Sequence, residues 1–151
     1  MAFCLSLTLE IVMKAKTLNQ RRLLIMNQIL IDASILKSHL NGQQATTDFL
    51  RTLAQSDAPL PALSVISEVE LYAIPQLNLE VIIKILTTVN ILPLSSCIAQ
   101  KAGNLKLQYP EITTEHAIVA ATALEKGFAL VTFDLKAYKM IPGLIIFNVP
   151  N

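Results

Sequence analysis

Met26-Asn27-Gln28-Ile29-Leu30-Ile31-Asp32 is a short apolar run that ends in an acid. A run of this length, rich in isoleucine and leucine, is typical of a buried strand in a parallel sheet. The acid comes where such a strand leaves the apolar core. The pattern therefore predicts a buried strand that presents Asp32 at one edge of a sheet.

Further apolar runs alternate with amphipathic segments along the chain. Short runs predict strands at 62–66, 128–133 and 144–149, and a further brief apolar segment occupies 91–94. Helical spacing and capping residues predict helices at 45–56, 67–73, 79–89, from Ser95 or Ser96 to 109, and from Thr113 or Thr114 to Gly127. This alternation predicts an α/β fold, a single domain whose central, mostly parallel sheet carries helices on both faces. Ligands of such sheets bind at the carboxyl ends of the strands, where strand order reverses. Asp32 and Asp134 both follow predicted strands.

The composition predicts a small protein with apolar surface to cover. Its 151 residues suffice for one domain. Hydrophobic residues make up 53% and charged residues 15%, so we expect burial against another subunit, most simply in a homodimer. Cys4 and Cys97 share no disulfide or metal-binding motif, which favours a reducing, cytoplasmic location.

Residues 1–25 are interpreted as an N-terminal extension or a misassigned start, and the domain as 26–151. The first 13 residues are mostly apolar, but the positive charges follow this run, whereas a signal peptide carries them before it. The run is also shorter than the roughly 20 residues that span a bilayer. We therefore expect no membrane association.

Charge is distributed unevenly along the chain. Residues 1–26 carry four bases and one acid, whereas residues 27–151 carry eight bases and ten acids. A domain with this negative balance repels nucleic acid. If the substrate is nucleic acid, a metal ion and a local patch of the surface must offset that repulsion.

Four segments of the chain carry a recognisable set of motifs. They are Ile29-Leu30-Ile31-Asp32-Ala33-Ser34, Ser64-Val65-Ile66-Ser67-Glu68-Val69-Glu70-Leu71, Ala117-Ile118-Val119-Ala120-Ala121-Thr122-Ala123-Leu124, and Leu130-Val131-Thr132-Phe133-Asp134 followed by Tyr138 and Ile141-Pro142-Gly143-Leu144. Together, over residues 27–151, they resemble the PIN family of metal-dependent nucleases, which includes VapC-like toxins. The resemblance implies a metal-dependent endoribonuclease, the toxin of a toxin–antitoxin pair, with RNA as substrate and an antitoxin protein as partner.

The resemblance also implies which residues form the site. Asp32, Glu70 and Asp134 would be catalytic ligands of Mg²⁺ or Mn²⁺, hard ions that take oxygen ligands, activate water and neutralise phosphate charge. Thr132 either orients the attacking water or fills a position in a strand. Each acid also has an ordinary interpretation: Asp32 as a helix cap, Glu70 as the capping-box partner of Ser67, and Asp134 as a turn residue.

His116 is where the sequence departs from the family, which usually has aspartate directly before the alanine of the third motif. His116 either binds the metal, which would favour manganese over magnesium, or is an ordinary residue at a helix start. Glu115 replaces the aspartate only if the helix start shifts, because neighbouring helical positions point about 100° apart. A second function therefore stays open: a PIN-fold module that binds RNA or protein with reduced or lost catalysis.

Overall fold

The computed structural model describes residues 28–56 and 58–149. The predictions for residues 1–25, with Cys4, lie outside them. The described residues form one five-stranded parallel sheet in the order β3-β2-β1-β4-β5. The strands are β1 (Ile29–Ile31), β2 (Ala62–Ser64), β3 (Asn90–Leu92), β4 (Ala129–Val131) and β5 (Ile146–Phe147). The helices are α1 (Ala33–Leu40), α2 (Gln44–Ala54), α3 (Val65–Tyr72), α4 (Leu79–Leu86), α5 (Ser96–Gln108), α6 (Thr114–Lys126) and α7 (Leu135–Tyr138).

Both faces of the sheet are buried, which confirms the predicted α/β architecture. Leu30 and Leu130 belong to an apolar cluster that includes residues of α5 and α6. Ile29 and Ile31 belong to a second cluster, on the other face, that includes residues of α1, α3 and α4. Successive side chains of a strand point to opposite faces, so the apolar run of β1 supplies both cores. No helix among the described residues combines the length and apolarity needed to cross a bilayer.

The order of the strands fixes the position of the site. The chain runs from β1 to β2 and β3 on one side, and then returns to form β4 on the other side of β1. Ile31 is in register with Val131, so the residues that follow these two strands emerge side by side. Strand order reverses between β1 and β4, and the crevice at this point is where ligands of open α/β sheets bind.

Helix α6 follows its predicted bounds. The Thr113 hydroxyl accepts a hydrogen bond from the backbone N–H of His116 (3.2 Å), which caps the first turn. Gly127 ends the helix in the left-handed conformation at φ 68°. Residues 117–123 are buried throughout, and the four alanines among them leave room for α5 and the sheet to pack closely. The helix thereby holds His116 at the carboxyl edge of the sheet.

Some predicted bounds are wrong. Val65 and Ile66, predicted as strand, form the first turn of α3, whose N-cap is Ser64. A short apolar run cannot distinguish a buried strand from a buried helix by periodicity alone. Ser67, predicted as the cap, is fully buried within the helix and has no hydrogen-bond partner among the described residues. Helices α1 and α7 were not predicted.

Candidate functional site

Asp32 follows β1 at the point where strand order reverses. Its backbone N–H donates a hydrogen bond to the Val131 carbonyl oxygen (2.9 Å), which ties the end of β1 to the end of β4. The residue is only 4% exposed. It is the N-cap of α1 by position, but its side chain makes no capping hydrogen bond. The carboxylate is therefore available for the site.

Hydroxyl groups surround the Asp32 carboxylate. Oδ2 accepts hydrogen bonds from Ser34 Oγ and from Thr132 Oγ1, each at 2.8 Å. Oδ1 accepts a longer one, 3.4 Å, from the hydroxyl of the buried Tyr138. Burying a carboxylate is costly unless it is hydrogen-bonded, and these donors reduce that cost. Oδ1 is the less tightly bonded oxygen.

The same two small hydroxyls also shape the loop after β4. Ser34 Oγ accepts a hydrogen bond from the backbone N–H of Phe133 (3.1 Å), and Thr132 Oγ1 accepts one from the N–H of Asp134 (2.9 Å). Each hydroxyl thus links Asp32 to the backbone that carries Asp134. The Thr132 hydroxyl is fully buried and hydrogen-bonded to two groups of this site, whereas its role in orienting the attacking water stays a prediction.

Asp134 and His116 are in contact. Asp134 Oδ2 lies 3.1 Å from His116 Nε2, and Oδ1 accepts a hydrogen bond from Ala137 N (3.3 Å), which caps α7. His116 Nδ1 lies 3.1 Å from Thr113 Oγ1, and the imidazole meets the Tyr138 ring edge-on at 5.1 Å between centroids. Asp134 is therefore the N-cap of α7 and, through Oδ2, the partner of His116.

Glu115 lies on the exposed outer side of the helix start. The hydrogen bond to its own backbone N–H, followed by one from the Thr113 hydroxyl, lowers the pKa of its carboxyl group. Helix α6 begins at Thr114, so Glu115 lies in its first turn, directly before His116. A metal role for Glu115 stays a prediction.

Glu70 lies on α3 and is paired with a lysine of α1. Its Oε2 lies 2.5 Å from Nζ of Lys37 on α1, and both side chains are partly exposed. The predicted capping box with Ser67 is absent, because α3 begins at Val65. Glu70 is therefore free of any capping role.

Tyr138 links the three acids electrostatically. Burial is the main cause that raises the pKa of its hydroxyl far above the ordinary value. The negative charges of Asp32, Asp134 and Glu70, in that order, raise it further. Of the three acids, Asp32 is the one that the Tyr138 hydroxyl contacts directly.

Comparison with protein families matches residues 29–141 to the PIN domain. The chain belongs to the PIN domain family. Ribonuclease VapC10 of Mycobacterium tuberculosis is 30% identical over 121 residues, which cover 77% of this chain and 90% of that protein.

Solved structures with this fold include two proteins from toxin–antitoxin systems. A toxin–antitoxin complex from Klebsiella pneumoniae contains a chain that is 28% identical, with a TM-score of 0.65, covering 78% of this chain and 95% of that one. VapBC2 of Rickettsia felis, bound to a DNA fragment from its promoter, has a chain that is 23% identical, with a TM-score of 0.68. The match covers 80% of this chain and 98% of that one. The latter likeness supports the fold alone.

The donor atoms of this PIN domain fit a hard divalent ion in their chemistry. Carboxylate and hydroxyl oxygens, the ligands that such ions prefer, make up the site. Among the described residues, however, no group of three or more acidic, histidine or cysteine side chains forms a metal-binding cluster. Glu70 is paired with Lys37 and Asp134 with His116. To bind an ion, Glu70 and Asp134 would have to release Lys37 and His116, so that their carboxylate oxygens become free.

Three polar residues of the PIN domain site had no assigned role from sequence: Ser34, Lys37 and Tyr138. Ser34 and Tyr138 stand within the quoted motifs, so the motifs could have indicated them. The sequence alone could not indicate a role for Lys37, because its partner Glu70 is 33 residues away along the chain. Ser64 is adjacent to the site, at the end of β2, and its buried hydroxyl has no hydrogen-bond partner among the described residues.

Proposed function

We propose that this PIN domain is a metal-dependent endoribonuclease and the toxin of a toxin–antitoxin pair. The observation that carries the proposal is the buried Asp32 carboxylate, held by Ser34 and Thr132 at the point where strand order reverses. Membership of the family and the similarity to ribonuclease VapC10 support the same activity. RNA is the proposed substrate, and an antitoxin protein is the proposed partner.

Asp32, Glu70 and Asp134 would hold Mg²⁺ or Mn²⁺, with His116 as a further contact. When bound, the ion supplies a more acidic water and positive charge beside the phosphate. The chain's own groups orient the ligands. Ser34 and Thr132 fix Oδ2 of Asp32, so the more weakly bonded Oδ1 is the atom that would face the ion.

His116 has a positioning role in this scheme. Its Nε2 contacts Asp134 Oδ2 while its Nδ1 contacts the Thr113 hydroxyl, so the imidazole connects the cap of α6 to an acid of the site. If Nε2 leaves Asp134 and binds the ion instead, the imidazole would suit Mn²⁺ better than Mg²⁺. We therefore propose that Mn²⁺ supports faster cleavage than Mg²⁺ in this protein.

A second function follows from the same contact. If the contact between His116 and Asp134 persists, Asp134 is not free to bind the metal ion, and the affinity of the domain for the ion is reduced. The domain would then bind RNA or a protein partner with little or no cleavage. Exposed apolar side chains on α3 and α4 support binding of a protein partner at this surface. They are Val69, Tyr72, Leu79 and Ile83. The homodimer and the cytoplasmic location expected from composition stay predictions.

Cleavage of a panel of structured RNAs by the purified protein tests the proposal. The reactions contain Mg²⁺, Mn²⁺ or a chelator, and they compare the wild type with Asp32→Asn. Asp48→Asn is the matched control, because Asp48 is an exposed acid of α2 that contacts Arg51 away from the site. Chelator-sensitive cleavage that is lost in Asp32→Asn and kept in Asp48→Asn supports the ribonuclease. A folded wild type that binds RNA but cuts none in either metal favours the binding module.

A further inference from the structure

Lys37 occupies a carboxylate that the proposed function assigns to a metal ion. Its Nζ lies 2.5 Å from Glu70 Oε2, with the two side chains 40% and 31% exposed. Lysine is not a ligand for Mg²⁺ or Mn²⁺, since its ammonium is a cation with donors only. Lys37 and a divalent ion therefore compete for Glu70.

The pair is not needed to hold its two helices together. Apolar side chains of α1 and α3, including Ile35, Leu36 and Leu71, are buried in one core cluster. A partly exposed ion pair is worth little in water, because solvent screens it and two long side chains must be ordered. An ion of double charge can therefore displace the ammonium from Glu70 without disturbing the fold.

The displaced ammonium has an evident new partner. The domain has a negative charge balance, with eight bases and ten acids in residues 27–151. An RNA phosphate approaching three acids needs local positive charge. Lys37 would provide it on a flexible stem, because a lysine within reach of Glu70 would lie beside an ion bound there.

We infer that Lys37 exchanges partners: it neutralises Glu70 until a divalent ion binds, and it then contacts a phosphate of the RNA substrate. The inference rests on the proposed function and adds a substrate-positioning residue to it. It makes two predictions of opposite sign for one substitution. Removing the ammonium strengthens metal binding and weakens RNA binding.

Calorimetric titration of Mn²⁺ into RNA-free protein tests the first half. Lys37→Met should bind Mn²⁺ more tightly than the wild type, by up to about fivefold, the weight of one exposed ion pair. Lys37→Arg, which keeps the charge, should stay near the wild type. Lys101→Met is the matched control: Lys101 contacts Glu125 at 2.7 Å with side chains 38% and 33% exposed, away from the site, and its loss should leave Mn²⁺ affinity unchanged.

A double-mutant cycle separates direct competition from a general effect of charge. If Lys37 acts through Glu70, then Lys37→Met has no effect on Mn²⁺ affinity in a Glu70→Gln background. If Lys37→Met still tightens Mn²⁺ binding by the same factor in the Glu70→Gln background, the ammonium acts only by long-range electrostatic repulsion of the ion. That outcome overturns the exchange.

The second half is measured at saturating Mn²⁺, where differences in metal affinity no longer matter. Lys37→Met should raise the KM for a structured RNA about fivefold with kcat within twofold, the effect of losing one phosphate contact. If the wild type cuts no RNA, the dissociation constant of the same RNA replaces KM.

The inference is overturned by an unchanged RNA affinity or by an unchanged Mn²⁺ affinity in Lys37→Met. A wild type that binds Mn²⁺ without cutting refutes the ribonuclease alone, whereas one that binds no Mn²⁺ refutes both.

Discussion

Thr132 Oγ1 donates a hydrogen bond to Asp32 Oδ2 at 2.8 Å, although the two residues are 100 positions apart in the chain. Both follow central strands of the sheet, and the parallel pairing of β1 with β4 brings them together. The bond joins the first and last motifs of the PIN domain. It also fixes which oxygen of Asp32 is left for other contacts.

Replacing Thr132 by valine should destabilise the fold by about 1.5–3 kcal/mol, since a buried carboxylate loses a donor and Asp134 N–H loses its acceptor. RNA cleavage should also fall. Thr122→Val is the matched control: Thr122 is equally buried, but its hydroxyl contacts only the Ile118 carbonyl of its own helix. Denaturant unfolding measures both variants. Equal effects of the two substitutions would contradict a special role for Thr132.

Replacing His116 by aspartate should raise Mg²⁺-dependent cleavage and narrow the advantage of Mn²⁺. A further carboxylate beside Asp134 adds negative charge and tightens the binding of a hard ion. Without metal the same change should lower stability, because two acids then face each other; Mg²⁺ should restore it. Cleavage rates and melting temperatures with and without Mg²⁺ check both effects. His116→Asn, which removes the imidazole without adding charge, should not gain Mg²⁺-dependent activity.

Replacing Tyr138 by phenylalanine should make stability less sensitive to alkaline pH. Burial, followed by the nearby acids, raises the pKa of Tyr138 in the folded protein above the unfolded value of about 10. Its contribution is fully present below pH 10 and is lost as the pH rises further, because the unfolded chain releases the proton first. Above pH 10, the free energy of unfolding of the wild type should fall by up to about 1.4 kcal/mol per pH unit more than that of the variant. Parallel curves for the two proteins above pH 10 would contradict the assignment.

Alanine at two glycines should have opposite effects. Gly127 has φ +68°, so Gly127→Ala should cost about 1 kcal/mol through backbone strain alone, as nothing lies within 4 Å of the added Cβ. Gly103 lies within α5, also with open space around an added Cβ, and Gly103→Ala should stabilise by about 0.5–1 kcal/mol. Chemical denaturation of both variants measures the pair. A stabilising Gly127→Ala would show that the cap is not in the left-handed conformation.

Local sequence predicted the α/β class because a helix or strand leaves its period in neighbouring residues. Helix α6 shows this best: Thr113, Gly127 and the apolar residues between them indicate its start, end and buried face. The same reasoning failed at Val65, where an apolar run led into a helix instead of continuing as strand. Periodicity over so few residues favours neither structure, and packing against the sheet decided between them.

The sequence by itself determined that acids follow strands at Asp32 and Asp134, and that parallel strands present their carboxyl ends at one edge. It could not determine the partner of each acid. The pairs Lys37 with Glu70 and His116 with Asp134 join different elements, and the distance between such residues depends on how the crossovers place those elements. Only the tertiary structure decided those contacts, because side-chain hydrogen bonds and ion pairs form over a few ångströms and leave no period in the chain.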